Sequence, residues 1–142
     1  MDQITFVVPG EPQGQGRPRF STRGGYARAY DTDRSRDYKV RIKTAAIDQM
    51  LRQGDIEPMT GPLLISIMAT EGVGKSKTKA FRVAALCGNV RPTKKPDIDN
   101  IVKAVMDALN GTVYEDDRQV VSLQAWKVYG ENPGLEITVK KV

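Results

Sequence analysis

The stretch from Pro96 to Leu109 constrains the fold of this chain more tightly than any other. A proline, which suits a helix entry, leads into Asp97-Ile98-Asp99-Asn100. Ile101, Val102, Val105 and Leu109 then recur at helical spacing, and Gly111 follows the last of them. The spacing predicts an amphipathic helix over residues 97 to 109. Its apolar stripe has to be buried against a second layer, and the segments around it have strand character. Pro62 to Thr70 reads as a buried strand, and Val113 and Tyr114 precede a tight acidic turn. Val120 to Tyr129 and Leu135 to Lys140 read as two more strands, joined through Gly130-Glu131-Asn132-Pro133-Gly134, a hairpin signal.

Toward the N-terminus, Gln3 to Val8 alternates and is rich in β-formers, with Pro9 and Gly10 as its stop. The Gly- and Pro-rich residues that follow, up to Tyr30, read as a loop with a short ribbon. Thr32 or Asp33 can cap a long helix running to about Gln53, with Tyr38, Ile42, Ala45 and Met50 on one face and Gly54 as its stop. Thr78 to Leu86 is a candidate short helix. The expectation is an α+β fold in which two main helices cover a small mixed sheet. At 142 residues the chain suits a single domain spanning residues 1–142.

The chain contains no histidine and one cysteine, Cys87. Those counts exclude Ser-His-Asp and Cys-His nucleophiles, multi-cysteine zinc sites and an intramolecular disulfide. Carboxylates, lysines or metals are left to carry any chemistry. The longest apolar stretch, Leu63 to Ala69, is far short of a membrane span. The first ten residues lack the basic n-region and apolar run of a signal peptide, so a cytoplasmic protein with no membrane partner is expected.

The net charge of +5 favours an acidic partner, and its distribution says more. Residues 71 to 96 hold seven Lys or Arg (Lys75, Lys77, Lys79, Arg82, Arg91, Lys94, Lys95) against Glu71. Residues 97 to 117 invert this, with six acids (Asp97, Asp99, Asp107, Glu115, Asp116, Asp117) against Lys103. In the middle of a helix an i, i+2 pair diverges, but across a helix start Asp97 and Asp99 can converge near the exposed amides. A third carboxylate would come from Glu115, Asp116 or Asp117 if the two ends of the helix and the next strand enclose one site. Two carboxylates about 4 Å apart repel by roughly 4 kcal/mol at an effective dielectric near 20, which calls for a cation or a shared proton. Mg²⁺ or Mn²⁺ is the natural occupant, being hard and oxygen-seeking. The bland alternative is an Asp cap with solvated acidic turns. Lys103, one turn beyond Asp99, is either a surface ion pair or a cation for a scissile phosphate. Asn100 can orient a water or simply belong to a helix start.

At residues 94 to 120 the chain resembles the RusA family of Holliday-junction resolvases. The resemblance rests on Asp97, Asp99 and Asn100 at a helix head, Lys103, Asp107-Ala108-Leu109, Tyr114 and Asp116-Asp117-Arg118-Gln119. Gly16-Arg17-Pro18-Arg19 is similar to a segment of the family's longer members. The resemblance implies a RusA-like fold and an endonuclease that nicks branched DNA, leaving 5′-phosphate and 3′-hydroxyl ends, in DNA recombination and repair of a host or prophage. It implies Asp97, Asp99 and Asp117 as metal-binding carboxylates, with Asp116 in support, Lys103 as an essential basic residue, and Mg²⁺ as cofactor with Mn²⁺ able to substitute. A homodimer is expected on the same ground and because a four-way junction is nearly two-fold symmetric and needs two matched cuts. The basic insertion, about residues 72 to 95, departs from the family's shortest members.

Arg17, Arg19, Arg23 and Arg28 alternate with Phe20, Tyr26 and Tyr30 on a Gly-rich loop, a pattern that suits DNA phosphates and bases or else a solvated hairpin. Lys75, Lys77, Lys79, Arg91, Lys94 and Lys95 are DNA-binding candidates on charge alone. Gly74-Lys75-Ser76 invites a P-loop reading, but the glycine that motif needs five residues earlier is Ala69. The competing functions are thus a junction-binding protein without catalysis and a P-loop NTPase.

Overall fold

The computed structural model describes every residue from Met1 to Val142 except Pro18, which falls within the Gly16 to Arg19 segment and lies outside the described residues. Strand β1 (Gln3–Pro9) buries Ile4, Phe6 and Val8 and exposes the residues between them. A short ribbon of β2 (Arg19–Ser21) and β3 (Arg28–Tyr30) follows, paired antiparallel. Helix α1 (Asp33–Gln53) starts at Thr32, whose side chain accepts from the Ser35 amide, and stops at Gly54, whose φ of 72° closes the last turn. Its buried stripe is Ser35, Tyr38, Ile42, Ala46 and Met50. Ala46, four residues beyond Ile42, is the fully buried position, and the expected Ala45 beside it packs partly against the core.

Strand β4 (Leu63–Glu71) buries every second residue from Leu63 to Glu71 and half-buries the rest, as a central strand must. Helix α2 (Lys79–Leu86), capped by Thr78, and helix α3 (Ile98–Leu109) come next. Ile101, Ala104, Val105, Ala108 and Leu109 of α3 are buried, whereas Val102 packs only partly against the core. A 3-10 turn (Asp117–Gln119) then leads into β5 (Val120–Tyr129) and β6 (Gly134–Lys141).

The four-stranded sheet has the order β1-β6-β4-β5. It is mixed: β1 with β6 and β6 with β4 are antiparallel, and β4 with β5 is parallel. A parallel neighbour requires a crossover, and α2 and α3 supply it. The expected hairpin between β5 and β6 therefore does not form, because β4 lies between them and pairs with both. The connection steps over the end of β4 with the Gly130 amide on the Glu71 carbonyl at 3.0 Å. Close approach explains its glycines. A Cβ on Gly130 would stand 2.6 Å from Thr70 Cγ2, and one on Gly134 2.8 Å from the Val8 carbonyl oxygen.

Ile4, Phe6, Val8, Ile65, Ile67, Ala69, Leu135, Ile137 and Val139 form one apolar sheet face, buried together with the stripes of α1 and α3 in one core. α1 packs on both β1 and α3, so two main helices cover this face as expected. α2 sits at the outer edge, its Phe81 edge-on to Tyr129 with ring centroids 5.8 Å apart. α2 begins only at Lys79, beyond Gly74-Lys75-Ser76, so those residues do not form the helix start that a P-loop places there. Among the described residues no helix is long and apolar enough to cross a membrane.

Candidate functional site

Asp97 is the N-cap of α3, with extended φ and ψ of −69° and 146°, and its backbone carbonyl accepts from the Ile101 amide at 3.1 Å. Its side chain makes no capping hydrogen bond. An N-cap aspartate ordinarily turns onto the N2 or N3 amide, so this exposed carboxylate keeps its lone pairs for another partner. Asp99 is exposed in the first turn, and Lys103 is exposed one turn further on. Asn100 acts through its backbone, its carbonyl accepting from the Gln15 amide at 2.9 Å.

That bond docks the Gly-rich loop after β1 between the starts of α1 and α3. A Cβ on Gly14 would stand 2.8 Å from Asn100 Cβ, and the Gly16 amide donates to Ser35 Oγ at 2.9 Å. A cleft of about 730 Å³ opens there, lined among others by Glu11, Arg17, Arg34, Lys94, Lys95 and Asp97. Segments far apart in sequence thus place four cations around one mouth beside Asp97, and the amides at the two helix starts favour anions in the same place.

Asp117 opens the 3-10 turn beyond the far end of α3. The buried Tyr114 ties this turn to the helix, its hydroxyl donating at 2.8 Å to the Met106 carbonyl, which also accepts from the Asn110 amide at 3.2 Å. Burial pushes the Tyr114 hydroxyl above its ordinary pKa, and the nearby Asp117 and Asp107 push it further. Gln119 staples the turn. Its Oε1 accepts the Glu115 and Asp116 amides at 3.0 and 3.1 Å, and its Nε2 donates to the Met59 and Gly61 carbonyls at 2.9 and 3.1 Å. Asp116 caps the turn, accepting the Arg118 amide at 2.9 Å and pairing with Arg118 Nε at 3.1 Å. The bond from the Arg118 amide, chiefly, holds its carboxyl below the usual aspartate range. Asp116 is thereby committed to the turn, and Asp117 is left as the uncommitted carboxylate of the pair.

The predicted carboxylates divide into two places. Asp97 and Asp99 share the head of α3. Asp117 lies by the Met106–Asp107 turn, about 14 Å further along the helix axis at 1.5 Å per residue. Among the described residues no group of three or more acidic, histidine or cysteine side chains could hold a metal ion. The two ends of α3 and β5 do not enclose one site within a chain. Arg17, Arg19, Arg23, Arg28, Lys75, Lys77, Lys79, Arg91, Lys94 and Lys95 are all exposed, and Arg17, Lys94 and Lys95 gather at the cleft. Arg28 lies over the Tyr26 ring at 4.6 Å, a cation–π contact.

Arg34, Glu71 and Lys127 were not singled out from the sequence. Glu71 had a visible signal, because the alternation of β4 puts it on the buried face where an apolar residue belongs. Arg34, which lines the cleft from the first turn of α1, had none.

The model of the family described as "Endodeoxyribonuclease RusA" matches residues 9–140. The chain is 40% identical over 144 residues to YqaN of Bacillus subtilis (strain 168), an uncharacterized protein, across 100% of this chain and 99% of that one. The motif at the head of α3, the stapled Asp116-Asp117 turn and the near-complete family match lead to one conclusion: this chain belongs to the RusA family of endodeoxyribonucleases.

Proposed function

We propose that this chain is a Mg²⁺-dependent endonuclease that resolves Holliday junctions and related branched DNA by paired nicks, acting as a homodimer in recombination and repair. The observation that carries the reading is the uncapped Asp97 carboxylate, beside Asp99 at the start of α3, on the rim of a cleft lined by Arg17, Lys94 and Lys95. Mg²⁺ is commonly held by one or two carboxylates, with waters and substrate phosphate completing its shell, and Asp97 with Asp99 fits that donor set. An ion held there supplies Lewis acidity toward a phosphodiester. The cleft cations grip the DNA backbone through phosphate contacts, and Lys103 neutralises charge that develops on the phosphate as the bond breaks.

The split of the carboxylates supports the dimer. Two chains related by a two-fold axis beside α3, with the helices antiparallel, bring Asp97 and Asp99 of one toward Asp117 of the partner subunit. Each chain then lends Asp117 to its neighbour's site, two sites face opposite strands, and a monomer is inactive.

The test is incubation of a synthetic four-way junction and a matching linear duplex with the protein in Mg²⁺ or EDTA. Paired cuts in the junction, in Mg²⁺ only, are expected. Binding without cutting supports the non-catalytic reading, and ATP hydrolysis without cutting supports the NTPase. Asp97→Asn, Asp99→Asn and Asp117→Asn should each abolish cleavage and leave junction binding in place. Near-wild-type cleavage by any one removes that residue from the set.

A further inference from the structure

Glu71 and Lys127 form a buried charged pair beneath the entry to α3, and Glu71 is also among the residues that line the cleft beside Asp97. Their side chains are only 3% and 12% exposed, and Lys127 Nζ lies 3.4 Å from Glu71 Oε2. Glu71 ends β4, and Lys127 lies on β5 opposite Ala69. Burying two charges is costly unless their remaining hydrogen-bonding capacity is met, and the ammonium has three donors to place. Nζ donates to the Lys94 carbonyl at 2.6 Å and to the Pro96 carbonyl at 2.9 Å. These carbonyls flank Lys95 and belong to the residues that lead directly into Asp97. Glu71 Oε2 makes no hydrogen bond among the described residues, so its interaction with Lys127 is ionic and it serves as counter-charge.

An N-cap side chain normally fixes the entry of its own helix, but Asp97 does not. The entry is held from the sheet. We propose that Lys127, neutralised by Glu71, is the positioning residue of the Asp97 site: by gripping the backbone on both sides of Lys95 it sets Asp97 for its ion and orients Lys94 and Lys95 toward the cleft. Lys127 touches neither substrate nor ion, and acts through the carbonyls it binds. The inference rests on the nuclease reading above, and it joins the basic insertion to the acidic site by a contact that neither motif contains.

The decisive variant is Glu71→Leu with Lys127→Met, which removes both charges together and leaves no buried charge unpaired. Melting temperature and junction binding in EDTA are expected to stay near wild type. The Mn²⁺ affinity of the protein and its single-turnover cleavage rate in Mg²⁺ are each expected to fall about 10- to 100-fold, the usual effect of losing a group that orients a metal ligand. Mn²⁺ binding is read by electron paramagnetic resonance on protein alone and with uncut junction, independently of catalysis. Lys127→Arg, which keeps charge and donors, should recover part of both losses.

A folded double variant with wild-type Mn²⁺ affinity and cleavage overturns the proposal. If the double variant does not fold, Lys127→Gln, which keeps one amide donor group and loses the charge, replaces it. Wild-type affinity and rate there overturn the proposal equally. A wild-type protein that binds Mn²⁺ but cuts no DNA refutes the nuclease reading alone, and the Mn²⁺ shift still decides the positioning role. A wild-type protein that neither binds Mn²⁺ nor cuts DNA overturns both.

Discussion

If the acidic site is shared between two chains, defective chains should repair one another. Let one chain carry Asp97→Asn and Asp99→Asn and the other Asp117→Asn. Carboxylates that share one Mg²⁺ sit about 2 Å from it and so within about 4 to 5 Å of each other. The axial rise of α3 puts the Asp117 turn about 14 Å from Asp97 in the same chain, beyond what side-chain rotation can close. In a mixed dimer one site combines every substitution and is dead, while the other combines intact Asp97, Asp99 and Asp117. Random pairing of equal amounts makes about half the dimers mixed, each with one competent site of two, so about a quarter of wild-type site activity is expected from two inactive parents. The assay is single-turnover cleavage of a labelled four-way junction by heterodimer purified through two different affinity tags. One competent site should yield singly nicked junction that persists instead of paired products. A purified heterodimer as inactive as its parents would refute the shared site and return Asp117 to its own chain's chemistry or to a structural role.

Arg17→Ala with Arg19→Ala should weaken binding to every DNA and lower the slope of log affinity against log salt by roughly 0.9 per lost phosphate contact, measured by fluorescence anisotropy; an unchanged slope makes these arginines solvated surface. Tyr114→Phe should remove one of the two hydrogen bonds the Met106 carbonyl accepts, the Asn110 amide keeping the other, and cost about 0.5–1.5 kcal/mol, read as a lower urea midpoint with unchanged m-value, and full stability would deny the tie between the turn and α3. Asp31 is held below its ordinary pKa of 3.8, chiefly by the hydrogen bond from Lys39. A depressed folded-state pKa stabilises the fold above 3.8 and the benefit fades as pH falls through the lowered value, so melting curves of wild type and Asp31→Asn should differ at neutral pH and converge in acid. A constant difference across that range would mean the carboxylate's charge is not what stabilises.

The sequence by itself determined the features whose causes lie within a few residues. Thr32 and Gly54 bound α1, Thr78 starts α2, and Asp97 with Asp99 stands at the head of α3, because caps, stops and helical stripes are set by near neighbours. The spacing from Asp97 to Gln119 carried the family for the same reason. Only the tertiary structure decided which strands pair. The Gly130 to Gly134 connection has hairpin chemistry, yet β4 takes the place between β5 and β6, since pairing partners are chosen by burial across the whole sheet. The same long-range choice sends α3 back along the sheet, so carboxylates 20 positions or fewer apart in sequence end at opposite ends of a rigid helix. Glu71 and Lys127 are unremarkable at their own positions. They become a buried pair under Asp97 because β4 and β5 run parallel and end side by side at the place where α3 begins.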